Sequence, residues 1–174
     1  MHNRYSANWL LPVAALVAAP ACATTYMTVE QAQKKFFPTE SFKPLSIALS
    51  VEQSKLIQKT SGIRVRDLNI NVWRASAGDW VYIDQVLGKH EFITYAVAVK
   101  NDGSIQGIEI LDYRETWGSE IRNPKWRAQF NGKKQGAVLK LDVDIVNLSG
   151  ATLSCRHITD GVKRILATHE ILFK

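Results

Sequence analysis

Cysteine is scarce in this sequence, which contains only Cys22 and Cys155 among its 174 residues. No Cys-x-x-Cys-His motif is present, which excludes covalently attached haem of that type. The histidines are too dispersed to indicate a metal-ligand cluster; they are His2, His90, His157 and His169. The single-domain length and the hydrophobic fraction of 46% instead predict an ordinary apolar core that holds the fold.

Dense basic runs are also missing, although the formal net charge is +6. No basic run is longer than Lys133-Lys134. Such scattered charge is typical of a mildly cationic, solvated surface, so we expect neither a nucleic-acid partner nor binding to an anionic membrane. The sequence offers no nicotinamide-binding fingerprint, no paired-carboxylate pattern and no Ser/His/Asp arrangement.

The N-terminal 23 residues have the pattern of an export signal. Residues 1–8 are polar, residues 9–19 are almost purely apolar, and small residues follow. We predict cleavage after Ala23, which removes Cys22 and leaves residues 24–174 as one domain in the periplasm or on the outer face of the inner membrane. The apolar run is short for a membrane span. An uncleaved anchor and lipidation of Cys22 are the alternatives.

Two capping boxes predict short helices in the first part of the exported chain. Thr28 pairs with Gln31 and Ser50 pairs with Gln53, so that each hydroxyl can accept from the helix backbone while the glutamine binds back. We expect the first helix to end before the next proline and the second at the next glycine, with both helices preceding the sheet.

Alternating apolar residues predict an antiparallel sheet in the middle of the chain. A shift of phase near Asp67 indicates a bulge or a break in the first strand. Asn101-Asp102-Gly103 indicates a tight turn between two later strands. The predicted strands are residues 63–75, 80–87, 92–100, 105–111 and 138–143.

Apolar residues at helical spacing predict a closing helix from Cys155 to about Ile171, which Gly161 should weaken slightly. The fold class is therefore α+β: two short N-terminal helices, an antiparallel sheet, and a turn that leads into the C-terminal helix.

The turn before this last helix contains Ser149-Gly150-Ala151-Thr152, followed by Ser154. Backbone N–H groups at a helix start are unpaired, and the helix dipole adds partial positive charge there. A phosphate at Thr152 or Ser154 would therefore meet donors already directed at it, and small residues would let it approach closely. Spacing alone favours a plainer interpretation, in which the Thr or Ser hydroxyl caps the helix.

Ser149-Gly150-Ala151-Thr152 resembles the flavinylation motif of the FMN-binding-domain family, which includes small flavin subunits of sodium-pumping NADH:quinone reductases and of Rnf-type complexes. The resemblance implies FMN as the cofactor, joined through its phosphate to the hydroxyl of Thr152. Ser149, Gly150 and Ala151 would be the recognition and cradle residues. It also implies a maturation partner, a flavin transferase that uses FAD and a divalent metal and releases AMP.

A second stretch, Asp112 to Gly118, resembles the Glu-Thr-Pro-Gly loop of the same family and implies that Glu115 and Thr116 lie near the flavin. The family's aromatic segment and Gly-Lys turn have counterparts in Trp126, Phe130 and Gly132. The resemblance spans most of the chain after the export signal and is strongest from about Phe92 to Ala167.

Two positions depart from the family pattern. Val146 stands six residues before Thr152, where the family usually has Asp, and Asp144 lies two positions earlier. Trp117 stands where Pro is usual, and we expect it to pack within the loop or to stack on the flavin. Cys155, which is followed by Arg156 and His157, is either a thiol of lowered pKa or a buried side chain, and burial is favoured.

These observations lead to three hypotheses. The first is an exported electron carrier, rather than a stand-alone catalyst, that holds FMN on Thr152 and connects a membrane or periplasmic electron donor to an acceptor. The second is a domain of the same fold that binds FMN reversibly or serves as a docking module. The third is an independent flavin reductase with a soluble donor, which the missing nicotinamide fingerprint disfavours.

Overall fold

The computed structural model describes residues 24–115 and 117–174. The predicted export signal with Cys22, and the predicted flavin contact Thr116, lie outside these residues. The described chain has an α+β fold, as expected from the sequence.

Six strands form one antiparallel sheet in the order β1-β6-β5-β4-β3-β2. Strands β2 to β6 follow one another as a meander, and the short β1 pairs with the end of β6, where Thr24 is opposite Tyr113. The strands are β1 (Thr24–Thr25), β2 (Phe42–Ala48), β3 (Asn69–Ala75), β4 (Trp80–Leu87), β5 (Phe92–Val99) and β6 (Ile105–Tyr113).

Helices α1 (Val29–Phe36) and α2 (Val51–Ser61) both begin at complete capping boxes. In the first box the Thr28 hydroxyl accepts from the Gln31 N–H at 3.2 Å, and the Gln31 side chain accepts from the Thr28 N–H at 2.8 Å. The expectation that both helices precede the sheet is wrong, because β1 lies before them and β2 lies between them. Strand β2 had not been predicted.

Helix α4 (Thr152–Phe173) packs against one face of the sheet and begins three residues earlier than predicted. Its apolar stripe meets the side chains of β5 that point to the same face, including Ile93 and Tyr95. Helix α1 covers the opposite face, where Phe36 packs against Ala96 and Ala98. Both faces of the central strands are therefore buried.

A short helical segment joins β6 to the turn before α4. It consists of a 3-10 turn (Ser119–Arg122), helix α3 (Pro124–Arg127) and a second 3-10 turn (Ala128–Phe130). The buried Arg127 side chain forms an ion pair with Glu109 of β6, and Glu109 also lies 2.7 Å from Lys35 of α1. These charges tie the segment to the sheet.

The predicted strand at residues 138–143 is wrong, because this segment is a loop that folds around Asp144. The Asp144 carboxylate accepts from the N–H groups of Lys140 at 2.8 Å and Leu139 at 3.1 Å, and from the Lys133 ammonium at 2.8 Å. Leu139 and Asp142 have positive φ angles of 44° and 60°, which a regular strand does not allow.

The first predicted strand is shorter than expected, since β3 begins only at Asn69, after the phase shift near Asp67. The Asp67 carboxylate accepts from the Asn69 N–H at 2.8 Å. Within the described part of the chain, no helix combines the length and hydropathy needed to cross a membrane.

Candidate functional site

Helix α4 begins without a side-chain cap. Ala151 is the N-cap residue and Thr152 is the first helical residue, so neither Thr152 nor Ser154 caps the helix, and the plainer interpretation of this turn is wrong. The Cys155 N–H donates to the Ala151 carbonyl at 2.9 Å, and the helical N–H groups before it are those that α-helix geometry leaves unpaired. The first turn contains no acidic residue, which keeps it receptive to an anion.

The Thr152 side chain is half-buried and lies in the wall of a cavity of about 780 Å³. This volume is in the range of sites that hold cofactor-sized ligands. The loop of residues 134–142 forms much of the remaining wall, and Thr60 of α2 also borders the cavity.

Basic side chains outnumber acidic ones in this wall, so the cavity favours an anionic ligand. Arg156 follows Thr152 by one helical turn and therefore lies on the same face of α4. The ionisable residues that line the cavity are Lys134, Lys140, Arg156 and Lys163, against Asp142 and Asp160.

The turn that precedes Thr152 depends on a glycine. Gly150 has a φ angle of +83°, and a Cβ atom added to it would meet no atom within 4 Å. The glycine is thus required for its backbone conformation rather than by crowding, and the space beside it is open to a ligand. Ser149 and Gly150 are exposed, whereas Ala151 is buried.

The two motifs that suggested a flavin site meet at the start of α4. Ser154 is buried, and its hydroxyl lies 3.3 Å from that of Tyr113, which donates to the Trp117 carbonyl. A Cβ atom on Gly118 would lie 3.5 Å from Cα of Ala151. The loop that follows β6 therefore packs against the first turn of α4. Ser154 faces this loop, whereas Thr152 faces the cavity.

Glu115 supports the connection between β4 and β5. Its carboxylate accepts from the backbone N–H groups of His90 at 2.5 Å and Glu91 at 3.0 Å. Partial burial alone would raise the pKa of this carboxyl, but the backbone N–H groups outweigh burial and lower it. Glu115 therefore connects the start of the loop after β6 to the β4–β5 connection. The next residue, Thr116, lies outside the described residues.

Trp117 does not pack within the loop, since 81% of its surface is exposed. The packing expectation for this residue is therefore wrong. Its indole does not border the Thr152 cavity.

The position that usually holds Asp in the family is occupied by an exposed side chain, Val146. The Val146 backbone is fixed, because its N–H donates to the Gln129 side chain at 2.7 Å and its carbonyl accepts from the Trp126 indole at 2.8 Å. The carboxylate of Asp144, two positions earlier in the sequence, accepts hydrogen bonds from the backbone of the loop around it.

Cys155 is fully buried, as favoured from the sequence. Burial raises the pKa of its thiol, which contradicts the alternative of a reactive thiolate. In the portion that the structure describes, no group of His, Cys, Asp and Glu side chains could hold a metal ion.

The basic residues of the cavity had not been identified from the sequence. Only the four-residue spacing between Thr152 and Arg156 could have indicated one of them. Lys140 borders the cavity from a loop that was predicted to be a strand, and Lys134 borders it from the residues just before that predicted strand.

Two comparisons with known proteins bear on the family of this chain. Residues 88–167 match the sequence model of the FMN-binding domain family. The chain is also 31% identical to one subunit of the Na(+)-translocating NADH-quinone reductase of Pasteurella multocida (strain Pm70), with 68% of this chain and 52% of that protein covered. The chain thus spans about half the length of this curated relative. The resemblance implied by the two motifs is confirmed.

Proposed function

Because this chain carries an FMN-binding domain in residues 88–167, with FMN as its cofactor, we propose that it is an exported electron-transfer flavoprotein that carries FMN on Thr152. The observation that supports this attachment point most directly is the uncapped start of α4, with Thr152 in the wall of a cationic cavity.

The residues present fit the chemistry of FMN. The phosphate requires hydrogen-bond donors and positive charge, which the open N–H groups of α4 and the Arg156 side chain supply. The cavity wall also contains apolar side chains, including Val138, Leu141 and Leu166, that suit the flavin ring system. When bound, FMN supplies one- and two-electron transfer, and the protein contributes binding, orientation and electrostatics.

In the proposed attachment, the Thr152 hydroxyl oxygen forms a bond to the phosphorus of the FMN half of FAD. The anhydride bond of FAD breaks, AMP leaves with the electron pair, and the hydroxyl proton passes to a basic group of the transferase or to water. The chain's own contribution is to present the hydroxyl at a fixed position and to stabilise the phosphate through the N–H groups at the helix start.

The mass of the protein after co-expression with a flavin transferase tests the attachment. We expect an adduct equal to FMN less one water in the unmodified chain and in Thr152→Ser, and none in Thr152→Ala. Thr60→Ala is the matched control, because Thr60 borders the same cavity from α2 and should leave the adduct intact. An adduct that persists in Thr152→Ala would exclude the ester at this residue.

A second candidate function is reversible FMN binding without the ester. Val146 favours it, because this exposed side chain cannot supply the carboxylate usual at the position, and Asp144 is engaged elsewhere. Protein that is yellow when purified but colourless after denaturing dialysis would support this candidate, whereas colour that stays with the denatured chain would support the covalent one.

We also propose that the protein transfers electrons between membrane or periplasmic partners. The similarity of the chain to a subunit of an NADH-quinone reductase supports this part of the proposal. Stopped-flow reduction and reoxidation of the loaded protein test it. We expect rapid transfer to and from redox dyes and no sustained turnover with NADH alone; sustained turnover would favour a stand-alone reductase.

Export is supported by the pattern of the N-terminal residues. Cell fractionation tests it, with Ala21→Gln and Ala23→Gln combined as the variant. We expect the unmodified chain to appear in the periplasmic fraction at the mass of residues 24–174. The variant should accumulate as a longer precursor.

A further inference from the structure

Two adjoining cavities lie beside the middle of α4, away from Thr152. Their volumes are about 440 and 260 Å³, and Arg66, Gln85 and Arg164 border both of them. The larger lies between β3, β4, β5 and α4, and the smaller lies where the segment after α2 meets α4. Because they share three residues, we treat them as one cleft, which we call the Arg66–Arg164 cleft.

The guanidinium of Arg164 is held in a fixed orientation in this cleft. It donates to the Asp84 carboxylate at 2.6 Å, and the fully buried Tyr95 hydroxyl donates to the same oxygen at 2.7 Å. Only 15% of the Arg164 side chain is exposed. Rigid support of this kind lowers the entropy lost when a guanidinium binds a ligand.

Arg164 retains hydrogen-bonding capacity on the side that borders the cleft. A guanidinium has five N–H donors, and among the described residues the Asp84 carboxylate is the partner found for one of them. The exposed Arg66 side chain borders the same space. Arg64, which is also exposed, borders the smaller part of the cleft. The cleft therefore presents three guanidinium groups.

The acidic groups of the cleft are already engaged or stand at its edge. Asp84 is bonded to Arg164 and Tyr95, and Asp67 accepts from both the backbone and the side chain of Asn69. Asp160 borders the smaller cavity and also the Thr152 cavity. The open hydrogen-bonding capacity at the centre of the cleft thus belongs to the arginines.

The remaining wall combines apolar side chains with uncharged polar ones. Leu49 and Ile165 are almost fully buried beneath the larger cavity, and Phe92, which is 54% exposed, stands on its border. Amide and hydroxyl side chains complete the wall; they are Asn69, Asn71, Gln85, Thr94 and Thr168. A ligand with an apolar body would remove this surface from water.

We propose that the Arg66–Arg164 cleft binds a small organic carboxylate with an apolar body. A carboxylate matches the planar fork of a guanidinium and can accept two parallel hydrogen bonds from it. The apolar part of the wall favours a carboxylate attached to a hydrocarbon or aromatic group, which a simple inorganic anion lacks.

The cleft and the Thr152 cavity have different linings, although the Thr152 cavity extends along α4 to Lys163 and Leu166 and both are bordered by Asp160. Arg164 and the proposed attachment residue Thr152 lie twelve positions apart on the helix, which corresponds to about 18 Å along the axis. Binding to the cleft can therefore be measured on the chain without FMN. If FMN attachment at Thr152 were disproved, carboxylate binding in the cleft would still stand. If carboxylate binding were disproved, FMN attachment would still stand.

Titration with decanoate tests the proposal, with acetate and decyltrimethylammonium as the controls that lack the apolar body and the negative charge. Calorimetry gives the affinity, and NMR of the arginine Nε–H groups and the backbone amides gives the location. We expect saturable decanoate binding that shifts the Arg164 Nε–H signal and the amides of β3 and β4. Acetate and decyltrimethylammonium should bind far more weakly.

Arg66→Gln should weaken decanoate binding about tenfold, because it removes a charge-assisted hydrogen bond at an exposed side chain that does not support the fold. Lys59→Gln is the matched control, since this exposed cation of α2 does not border the cleft and its loss should leave the affinity unchanged. Phe92→Ser should also weaken binding without loss of the fold.

Four results would overturn the inference. The first three are the absence of saturable decanoate binding, an equal affinity for decyltrimethylammonium, and an affinity that Arg66→Gln leaves unchanged. Shifts confined to the loop of residues 134–142 would place the ligand in the Thr152 cavity and would also overturn it.

Discussion

The hydroxyl oxygens of Tyr113 and Ser154 lie 3.3 Å apart in the protein interior, although 41 residues separate them in the sequence. Tyr113 ends β6, and Ser154 lies in the first turn of α4. Their contact joins the two motifs that resemble the FMN-binding family. A substitution in the loop after β6 should therefore alter the packing of the first turn of α4, which contains Thr152.

Gly118→Ala should destabilise the protein by about 2–3 kcal/mol. Gly118 has a φ angle of +95°, which costs a residue with a Cβ about 1–2 kcal/mol. The added Cβ would also lie only 2.5 Å from the Tyr113 hydroxyl and 3.2 Å from that of Ser154. Urea unfolding measures the change.

Gly132→Ala provides the control for this prediction. Its φ angle of +76° carries the same backbone penalty, but no atom lies within 4 Å of the added Cβ. It should therefore cost only the backbone penalty of about 1–2 kcal/mol. Equal losses in the two variants would show that crowding against Tyr113 and Ser154 contributes nothing.

Gly161→Ala should destabilise the protein, although alanine is the better helix former by about 1 kcal/mol. The added Cβ would collide with the Tyr95 hydroxyl, because α4 crosses the sheet in close contact at this point. Tyr95→Phe removes the oxygen, so the double variant should lose less stability than the two single losses added together. Simple additivity in urea unfolding would contradict the close-contact explanation.

The stability of the protein should fall as the pH decreases from about 6.5 to about 4. His169 is buried with its Nδ1 atom 2.9 Å from the Tyr82 hydroxyl. Burial, with a smaller contribution from Lys174, lowers the pKa of His169 to about 4. The unfolded chain therefore binds a proton in this range that the folded chain excludes, and the loss from this group reaches at most about 3 kcal/mol.

His169→Gln, which retains a hydrogen-bond acceptor for Tyr82, isolates this contribution. Its free energy of unfolding should depend less on pH between 7 and 4.5 than that of the unmodified chain, as measured by urea unfolding at several pH values. Parallel curves for the two proteins would assign the pH dependence to other groups.

Arg156→Gln should weaken the binding of free FMN by about tenfold in chain purified without the transferase, since it removes a cation one turn from Thr152. The affinity of the variant should also depend less on salt concentration. Lys125→Gln is the control, because this exposed lysine does not border the cavity. Fluorescence quenching of FMN gives both affinities, and equal values for the two variants would contradict a role for Arg156.

Local hydrogen-bond patterns made parts of the fold predictable. Thr28 with Gln31, and Ser50 with Gln53, specify helix starts within four residues, and the structure contains both boxes. The meander was predictable for a similar reason, because alternation in β4 and β5 reflects which side chains are buried on each face.

Elements that depend on distant partners were missed. The apolar alternation at residues 138–143 is the same in a loop as in a strand, and the bonds of Asp144 decide between them. Strand β2 contains Pro44 and lies at the edge of the sheet, where a proline does not interrupt the pairing, so its sequence resembles a loop.

In the candidate site, too, residues of a contiguous motif could be predicted, whereas residues brought together by the fold could not. Thr152 could be selected from its motif, because the motif is contiguous. Arg156 and Lys140 could not be assigned to the same cavity, since the loop that brings Lys140 to the helix was predicted as a strand.

With FMN attached as proposed, the missing side-chain cap of α4 would link cofactor loading to folding. A 22-residue helix whose first turn has no side-chain acceptor is incomplete at that end. A phosphate at Thr152 would accept from the same N–H groups that a serine or aspartate satisfies in other helices. Attachment of FMN by the transferase would then also cap the helix. The melting temperature and the amide exchange of the first turn should therefore report maturation as directly as colour does.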